Sequence, residues 1–343
     1  MQQVNSNFFQ QIKNSKKVLI LDLGFLGDTI HLLPAAHCVR KALPNAQLEV
    51  MVADHITSIL ECTPWIDKVL GYPRFPKGPK WYQELGRAKW LKVQNYDLVI
   101  NLNGSDRSSF LTRATCAPVR FARLPQRKKW YSKFLFTHCV DVPYDATPVY
   151  LQRYNSLKEA GFPCEEPSFG VQIPNSIQNK VAQLIDNSTD FIHLSPFTTE
   201  DQREIPIPIM ADFLNTLHKN QSSQKIAISC APNDRERSKL NVLLGKLQFK
   251  PWRVWPGGLT LVQLSAVIQK SKLHLGGDSG ALHIAVMVDT PTISWFYEYA
   301  RESTHWLPYG PQHVHLIGTA SLNGLDDVCA SSLYATCTSM LNR

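Results

Sequence analysis

The stretch LHLGGDSGALHIA, residues 273–285, contains two mostly apolar runs that five small or polar residues separate. Two glycines end the first run, and an aspartate, a serine and a third glycine follow them. This pattern predicts a strand over 272–277 and a helix over 279–287, with the polar residues in the turn between them. Such turns lie at the carboxyl end of a parallel sheet, where ligands bind.

The same alternation of short apolar runs and amphipathic stretches continues on both sides of this turn. It is typical of βα units and parallel sheets. In the first half, the predicted strands are 17–22, 47–52 and 97–102, and the predicted helices are 28–42, 54–62 and 81–93. In the second half, the other predicted strands are 190–195, 225–229 and 292–296, and the other predicted helices are 207–219, 234–246 and 260–270.

The length of 343 residues suits two domains better than one. The stretch GFPCEEPSFGVQIPN, residues 161–175, interrupts the alternation, so we place the boundary there, with domains 1–165 and 166–343. The predicted fold class is α/β, with two Rossmann-like domains whose parallel sheets face a central cleft. A helix at the C-terminus is free to pack back on the first domain.

The composition describes a folded protein, with 44% hydrophobic and 10% aromatic residues. No stretch approaches the roughly 18 consecutive apolar residues of a membrane span, and the first residues lack the apolar segment of a secretory signal. The eight cysteines are scattered without a C-x-x-C pair, so they lack the spacing of zinc and redox sites. We expect a cytoplasmic protein with reduced thiols.

The net charge of +8 favours an anionic partner. Residues 107–133 contain eight basic residues and no acidic one, with Trp130 and Tyr131 among them, and 73–92 is a second basic and aromatic stretch. These stretches are either solvated surface or a surface that binds phosphates. We expect no nucleic acid partner, because no nucleic-acid-binding fold signature is present.

A second polar turn follows the strand of LILDLGFLGDTIHLLPA, residues 19–35. Asp28 stands at the predicted start of the helix, where an aspartate ordinarily caps free N–H groups. Gly24 and Gly27 are compatible with close approach of a ligand. Their spacing is not G-x-G-x-x-G, which speaks against a nicotinamide dinucleotide site.

Two further groups of polar residues follow strands in the second half. In HLSPFTTEDQREIPI, residues 193–207, two threonines and an arginine either hold phosphate oxygens or form a solvated capping loop. In the opening stretch, the helix start attracts anions, and the aspartate suits sugar hydroxyls. The histidine one turn later lies on the same face, although a histidine in an apolar helix is often an ordinary core residue.

The turns LGFLGDTIHLLPA and GGDSGALHIAVMVDTPTISWF together resemble those of glycosyltransferase family 9, the lipopolysaccharide heptosyltransferases. TTEDQREIP is similar to a third element of that family. The resemblance covers about residues 17–310 and implies a GT-B fold, with an acceptor domain followed by a nucleotide-sugar donor domain. It also implies inverting, metal-independent transfer of heptose from ADP-L-glycero-D-manno-heptose to a lipopolysaccharide or lipooligosaccharide inner core, with no cofactor.

The resemblance assigns roles residue by residue. Asp28 matches the catalytic base of the family. The residues that match its donor-binding elements are Thr198, Thr199, Arg203, Asp278, Ser279, Gly280 and His283, and Glu236 matches more loosely a glutamate that holds the ribose. With these roles, the basic residues that bind a phosphorylated lipid A-core acceptor are Arg120, Arg123, Arg127, Lys128 and Lys129. The enzyme would then be peripheral on the inner face of the inner membrane of a Gram-negative bacterium.

Three positions depart from the family pattern. Asp22 stands where a lysine or arginine is frequent, Arg203 replaces a lysine, and Ile205 replaces a tryptophan. These departures leave open another nucleotide sugar or another acceptor. The sequence is also compatible with a different GT-B enzyme, such as a sugar epimerase, and with a non-catalytic protein that binds sugar nucleotides or lipopolysaccharide.

Overall fold

The structure, a computed structural model, describes residues 1–4, 7–74, 78–124, 130–301 and 304–342. The chain divides into two compact units, Met1–Gln172 and Ile173–Arg343. The division falls inside the proline- and glycine-bearing stretch 161–175.

The described part of the first unit forms an α/β layer structure around one parallel sheet. Its strands are β1 Gln2–Gln3, β2 Lys17–Leu21, β3 Gln47–Ala53, β4 Lys68–Tyr72, β5 Leu98–Asn101, β6 Val119–Arg123 and β7 His138–Val140. Their order in the sheet is β1-β7-β6-β5-β2-β3-β4, and neighbours pair in parallel. The helices are α1 Phe8–Ile12, α2 Leu26–Ala42, α3 Trp81–Val93, α4 Asp106–Ala114, α5 Ser132–Leu135 and α6 Val149–Glu159, with a 3₁₀ helix at Asp54–Cys62.

The described part of the second unit repeats this plan. Its strands are β8 Phe191–Ser195, β9 Lys225–Cys230, β10 Arg253–Pro256, β11 Leu273–Gly277, β12 Thr292–Tyr297, β13 His313–Ser321 and β14 Gly324–Asp326. Their order is β10-β9-β8-β11-β12-β13-β14, parallel except for the last pair. The helices are α7 Asn175–Leu184, α8 Ile207–Asn220, α9 Asp234–Lys246, α10 Leu261–Lys270, α11 Gly280–Met287 and α12 Ala330–Leu341, and 3₁₀ helices lie at Asp201–Arg203, Glu298–Arg301 and Thr304–Trp306.

The central strands of both sheets are buried along their length and mostly apolar, because helices cover both faces. Val18 to Leu21 of β2 are buried, as are the residues of β8. The C-terminal helix α12 packs on α8 of its own unit. Its Leu333 and Cys337 belong to the core of that unit.

The strands and helices predicted from the alternating pattern are confirmed to within about two residues, and 54–62 is a 3₁₀ helix. The prediction missed the strands toward the sheet edges, which are β1, β4, β6, β7, β10, β13 and β14. Of these, β6 has the sequence VRFAR, which contains two arginines. The structure explains them, because the guanidinium groups of Arg120 and Arg123 bind backbone carbonyls beside the sheet. All eight cysteines are free. No helix in the described ranges combines the length and apolar character that crossing a bilayer requires.

A row of buried polar side chains crosses the second sheet. His193 of β8 lies in register with His274 of β11, and their Nδ1 atoms are 2.9 Å apart. The Nε2 atom of His193 is 3.0 Å from the hydroxyl of Ser229. Farther along, the hydroxyl of Thr292 is 2.9 Å from Nδ1 of His313. Burial lowers the pKa of His193 to about 3 and that of His313 to about 4, and it lowers the pKa of His274 well below its usual range.

These histidines predict loss of stability in acid. The unfolded chain takes up protons below pH 6.5, whereas the folded protein keeps the three imidazoles neutral until much lower pH. The free energy of unfolding should therefore fall by about 1.4 kcal/mol per pH unit and per histidine as the pH drops from about 6.5 to about 4. Urea unfolding at about pH 6.5, 5.5 and 4.5 measures this slope.

His193→Asn should reduce the pH dependence of the free energy of unfolding by about 1.4 kcal/mol per pH unit, which is the contribution of one histidine. The matched control is His218→Asn, because His218 lies on α8 of the same unit and is only half-buried against Phe249. Equal slopes for wild type and His193→Asn would contradict the prediction.

Candidate active site

The first polar turn joins the ends of two neighbouring strands. Asp22 directly follows β2 and is fully buried. Its Oδ1 accepts hydrogen bonds from the N–H of Gly24 at 2.7 Å and from Nδ2 of Asn103 at 2.8 Å. Asn103 follows β5, the strand beside β2. Asp22 therefore ties together two loops at the carboxyl edge of the sheet.

Asp28 lies in the first turn of α2, as the sequence predicted. Its Oδ2 accepts a hydrogen bond from the N–H of Phe25 at 2.9 Å, and its side chain is 21% exposed. A Cβ atom at Gly24 would stand only 2.3 Å from Cβ of Asp28. The absence of a side chain at position 24 therefore lets the side chain of Asp28 pack directly against the backbone of the turn.

A buried arginine bridges the two aspartates. Arg153 on α6 places one guanidinium nitrogen 2.9 Å from Oδ2 of Asp22 and the other 3.2 Å from Oδ1 of Asp28. It also donates to the backbone carbonyl of Asp28. The sequence analysis missed Arg153, which lies 125 residues from Asp28 along the chain. The one available signal was Asp22, which stands where a lysine or arginine is frequent in the family, because a buried carboxylate needs a positive partner.

One positive charge is thus shared between two carboxylates. Burial raises the pKa of Asp22 to about 6, and the nearby charge of Asp28 acts in the same direction. Arg153 and the hydrogen bonds from Gly24 and Asn103 lower it. Because Asp22 also engages Arg153, the guanidinium holds Asp28 in place without enclosing it.

Replacing Arg153 by methionine should lower the free energy of unfolding by about 3–5 kcal/mol, because Asp22 is then buried without a counter-charge. Adding Asp22→Asn should restore part of the loss, since the uncompensated charge is removed. Urea unfolding of wild type, single and double variants measures both effects. Lys158→Met on the same helix is the control, because Lys158 is exposed and should cost less than about 0.5 kcal/mol. Equal losses in Arg153→Met and Lys158→Met would refute the assignment.

In the second unit, the loop after β8 carries the two predicted threonines. Thr198 is buried; its N–H donates to Oε1 of Glu204 at 2.9 Å and its hydroxyl to the carbonyl of Glu200 at 2.8 Å. Thr199 is exposed. Thr198 therefore shapes the loop, and Thr199 is the threonine whose side chain is open to solvent.

A network of ion pairs that the sequence analysis missed holds this loop. Buried Glu204 accepts from Arg235 at 2.7 Å and from Lys239 at 2.7 Å, both on α9. Arg235 also donates to the carbonyl of Thr198 at 2.7 Å. Asp201 pairs with the same two cations. The loop is thus fixed to α9 before any ligand binds.

Arg203 and Asp278, which were predicted separately, lie together at this edge of the sheet. A guanidinium nitrogen of Arg203 is 3.3 Å from Oδ2 of Asp278, and the hydroxyl of Tyr299 donates to the same oxygen. The guanidinium also lies over the rings of Tyr297 and Tyr299, 5.6 and 5.7 Å from their centres. Burial, followed by the charge of Asp278, raises the pKa of Tyr299. Asp278 and the two tyrosines therefore orient Arg203.

The start of α11 lies beside this pair. Ser279 precedes Gly280, the first residue of the helix, and the buried Oγ of Ser279 has no hydrogen-bond partner within the described part of the chain. His283 is nearly buried, with its Nε2 4.0 Å from Oδ1 of Asp278. A Cβ atom at Gly277 would stand 2.7 Å from Cγ2 of Thr198, so the glycine lets the 198 loop pack on β11.

Glu236 has local partners for both carboxylate oxygens. Oε2 accepts from the N–H of Ala231 at 2.8 Å, and Oε1 accepts from Nδ2 of Asn233 at 3.1 Å. Asn233 in turn caps α9 by accepting from the N–H of Glu236 at 2.9 Å. The structure gives Glu236 a role in the turn after β9, and ribose binding stays a prediction.

The described arginines of the predicted acceptor surface also have partners inside the first unit. Arg120 donates to the carbonyls of Leu135 at 2.9 Å and Ala117 at 2.6 Å. Arg123 is buried and stacks 3.6 Å from the ring centre of Tyr144, and burial lowers its pKa. Both arginines are thus explained without an acceptor. Arg127, Lys128 and Lys129 lie outside the described residues.

Two α/β units, each with a mostly parallel sheet and with polar side chains at the carboxyl ends of its strands, are typical of the GT-B class of glycosyltransferases. The chain belongs to glycosyltransferase family 9 (heptosyltransferase), whose model matches residues 85–332. The family resemblance, the GT-B fold class and the assignment as a glycosyltransferase are therefore confirmed. Membership in this family also sets aside a sugar epimerase.

Known relatives and solved structures agree with this assignment. The lipopolysaccharide core heptosyltransferase OpsX of Haemophilus influenzae is 25% identical over 91% of this chain and 84% of its own length. The family 9 glycosyltransferase of Veillonella parvula has a TM-score of 0.82 at 16% identity, covering 95% of this chain and 97% of that one. The E. coli heptosyltransferase WaaC, solved with ADP, has a TM-score of 0.77 at 17% identity, covering 94% and 99%.

Proposed function

We propose that this protein transfers heptose from ADP-L-glycero-D-manno-heptose to the inner core of a lipopolysaccharide or lipooligosaccharide, with inversion at the anomeric carbon. Family membership supports a heptosyltransferase. The OpsX relative is a lipopolysaccharide core heptosyltransferase, and the similar E. coli enzyme was solved with ADP. The reaction would take place at the inner face of the inner membrane of a Gram-negative bacterium, where the phosphorylated lipid A-core acceptor lies.

The observation that carries the proposal is the setting of Asp28. Its carboxylate is fixed by the N–H of Phe25 and by Arg153, yet part of it stays open to solvent. An acceptor hydroxyl that reaches Asp28 can give up its proton as its oxygen attacks the anomeric carbon. The new bond forms on the face opposite the leaving ADP, so the anomeric configuration inverts.

The donor is held by the second unit. The departing diphosphate gains negative charge, and Arg203, the N–H groups at the start of α11 and the Oγ of Ser279 supply donors for it. Asp278 orients Arg203 and, with Glu236, offers carboxylate oxygens to sugar or ribose hydroxyls. Thr198 and Thr199 complete the predicted diphosphate site. His283 lies beside Asp278, with its Nε2 4.0 Å from Oδ1 of that aspartate. In the first unit, the basic residues 127–129 remain the predicted phosphate contacts of the acceptor.

Turnover with a panel of nucleotide sugars and truncated core acceptors tests the proposal. We expect ADP-heptose to be used at least about ten-fold more efficiently than ADP-glucose or a uridine diphosphate sugar. NMR of the product should show an anomeric configuration opposite to that of the donor. Preference for another nucleotide sugar would leave a family 9 enzyme of different specificity. Failure to turn over any donor would favour a non-catalytic binding protein.

We predict that transfer needs no divalent metal, because Arg203 and the helix start meet the charge of the leaving group. Removal of metal with EDTA should leave kcat unchanged within about two-fold, since no metal-bridged phosphate is needed. Initial rates with and without EDTA, and after addition of Mg²⁺, provide the measurement. A rate that collapses with EDTA and returns with Mg²⁺ would disprove this account.

A further inference from the structure

Four aromatic side chains form a protruding cluster on the first unit. Phe110 of α4 is 55% exposed, Trp130 is 79% exposed and Phe134 of α5 is 58% exposed, which is far more than such side chains usually show. The ring of Tyr131 joins them, with its centre 5.8 Å from that of Phe110 and 5.7 Å from that of Trp130. The ring centres of Trp130 and Phe134 are 6.4 Å apart. We call these four residues the aromatic patch.

The patch is anchored on one side and open on the other. The hydroxyl of Tyr131 donates to Asp106 at the start of α4 at 2.8 Å. Leu135 and Phe136, directly after the patch, are buried in a small core. The exposed rings are thus held outward by a fixed base, so their exposure belongs to the folded unit.

Cationic side chains lie beside the patch, together with the carboxylate of Asp106 that accepts from Tyr131. Lys133 is exposed, with its Nζ 5.0 Å from the ring centre of Phe134. Arg113 is exposed and lies one turn after Phe110 on α4. Arg107 is exposed on the same helix, and its guanidinium lies over the ring of Tyr72, 5.8 Å from the ring centre. In sequence, residues 107–133 contain no acidic residue at all. The apolar rings and the cations therefore face solvent together.

We propose that the aromatic patch is a membrane-docking surface that binds an anionic bilayer. Tryptophan, phenylalanine and tyrosine prefer the boundary between headgroups and acyl chains, and lysine and arginine are attracted to anionic headgroups. The three protruding rings and the exposed cations Lys133 and Arg113, which we call the basic rim, match both parts of that boundary. This inference adds a binding surface to the proposed function and does not depend on which sugar is transferred.

The arrangement favours a bilayer over other partners. The rings contact one another and form one apolar protrusion, whereas single-stranded nucleic acid is bound on separate aromatic platforms along a groove. Apolar side chains of this size are depleted from ordinary protein surface unless they face a partner. The basic rim would repel the same rim on a second copy of the chain, which disfavours self-association through the patch.

Co-sedimentation of the full chain with vesicles tests the proposal. One vesicle sample contains phosphatidylglycerol and phosphatidylcholine in equal parts, and the other contains phosphatidylcholine alone. We expect wild type to bind the anionic vesicles and to release them as salt is raised, because salt screens exposed charges. Trp130→Ala combined with Phe134→Ala should weaken partitioning roughly ten-fold or more, since two apolar rings no longer leave water.

Leu322→Ala is the matched control. Leu322 is 90% exposed in the turn between β13 and β14 of the second unit. The variant therefore removes a similarly exposed apolar side chain that lies outside the patch. It should partition like wild type. Thermal unfolding should show that the double variant remains folded, because both of its side chains are mostly exposed.

Three results of the vesicle-binding and sedimentation measurements would overturn the proposal. They are failure of wild type to bind anionic vesicles, equal partitioning of wild type and the double variant, and a dimer in sedimentation that the double variant abolishes. Turnover with a deacylated, soluble acceptor should be the same in wild type and the double variant. A loss there would assign the patch to acceptor binding instead. Because vesicle binding needs neither donor nor acceptor, its outcome is separate from that of the proposed reaction.

Discussion

Replacing Asp28 by asparagine should lower kcat by about 10²–10⁴-fold while leaving the affinity for ADP unchanged. Asparagine keeps the size of the side chain and an oxygen that can accept from the N–H of Phe25, so the turn should persist. What it loses is the ability to take a proton from the acceptor hydroxyl. ADP is expected on the second unit, so its binding should not respond.

Steady-state turnover and calorimetric titration with ADP together measure this effect. Asp54→Asn is the matched control, because Asp54 also follows a strand of the first sheet and also bonds a backbone N–H, that of His55 at 2.8 Å. It should keep near-normal turnover. If Asp28→Asn behaves like Asp54→Asn, then Asp28 serves only as a helix cap.

The second large effect is expected at Arg203. Arg203→Met should lower kcat by about 10²–10³-fold and weaken ADP binding, because a charged donor to the leaving diphosphate is lost. Arg203→Lys should recover a substantial part, since the resemblance places a lysine there in most of the family. Recovery should be incomplete, because lysine lacks the planar group that stacks beside Tyr297 and Tyr299.

Arg253→Met is the control for loss of one positive charge. Arg253 begins β10 and pairs with Asp186, so it lies at the amino end of the strand, away from the predicted donor-binding loops. It should leave kcat and ADP affinity unchanged. Thermal unfolding should be measured for both variants as a control for folding, because Arg203→Met also removes the cationic partner of Asp278. Unchanged kcat in a folded Arg203→Met variant would remove this arginine from the mechanism.

The local sequence predicted the fold class well for a physical reason. A strand covered by helices on both faces is mostly apolar, and a helix between two such strands is amphipathic, so each βα unit is recognisable alone. The strands that escaped prediction lie toward the edges of the two sheets, where fewer residues are buried and the apolar run is shorter or interrupted. In β6, two arginines lie beside the sheet because backbone carbonyls outside the strand bind them.

The local sequence also located the candidate site to three strand-end turns, because parallel strands bring their carboxyl ends to one edge. It placed Asp28, Arg203 and the residues 278–283 there. It could not supply their partners. Asp22 departs from the family pattern, and the reason lies in Arg153, which binds both Asp22 and Asp28.

From the sequence alone follow the alternating α/β plan, the positions of the polar turns and the resemblance to family 9. These depend on residues close in the chain, whose spacing directly reflects the periods of helix and strand. The tertiary structure alone decided which charges meet: Arg153 with two aspartates, Glu204 with two cations of α9, and Arg123 with carbonyls instead of solvent. Such pairs join distant segments, and an ionic side chain carries no local signal of its partner, because long-range contacts exist only once the chain has folded.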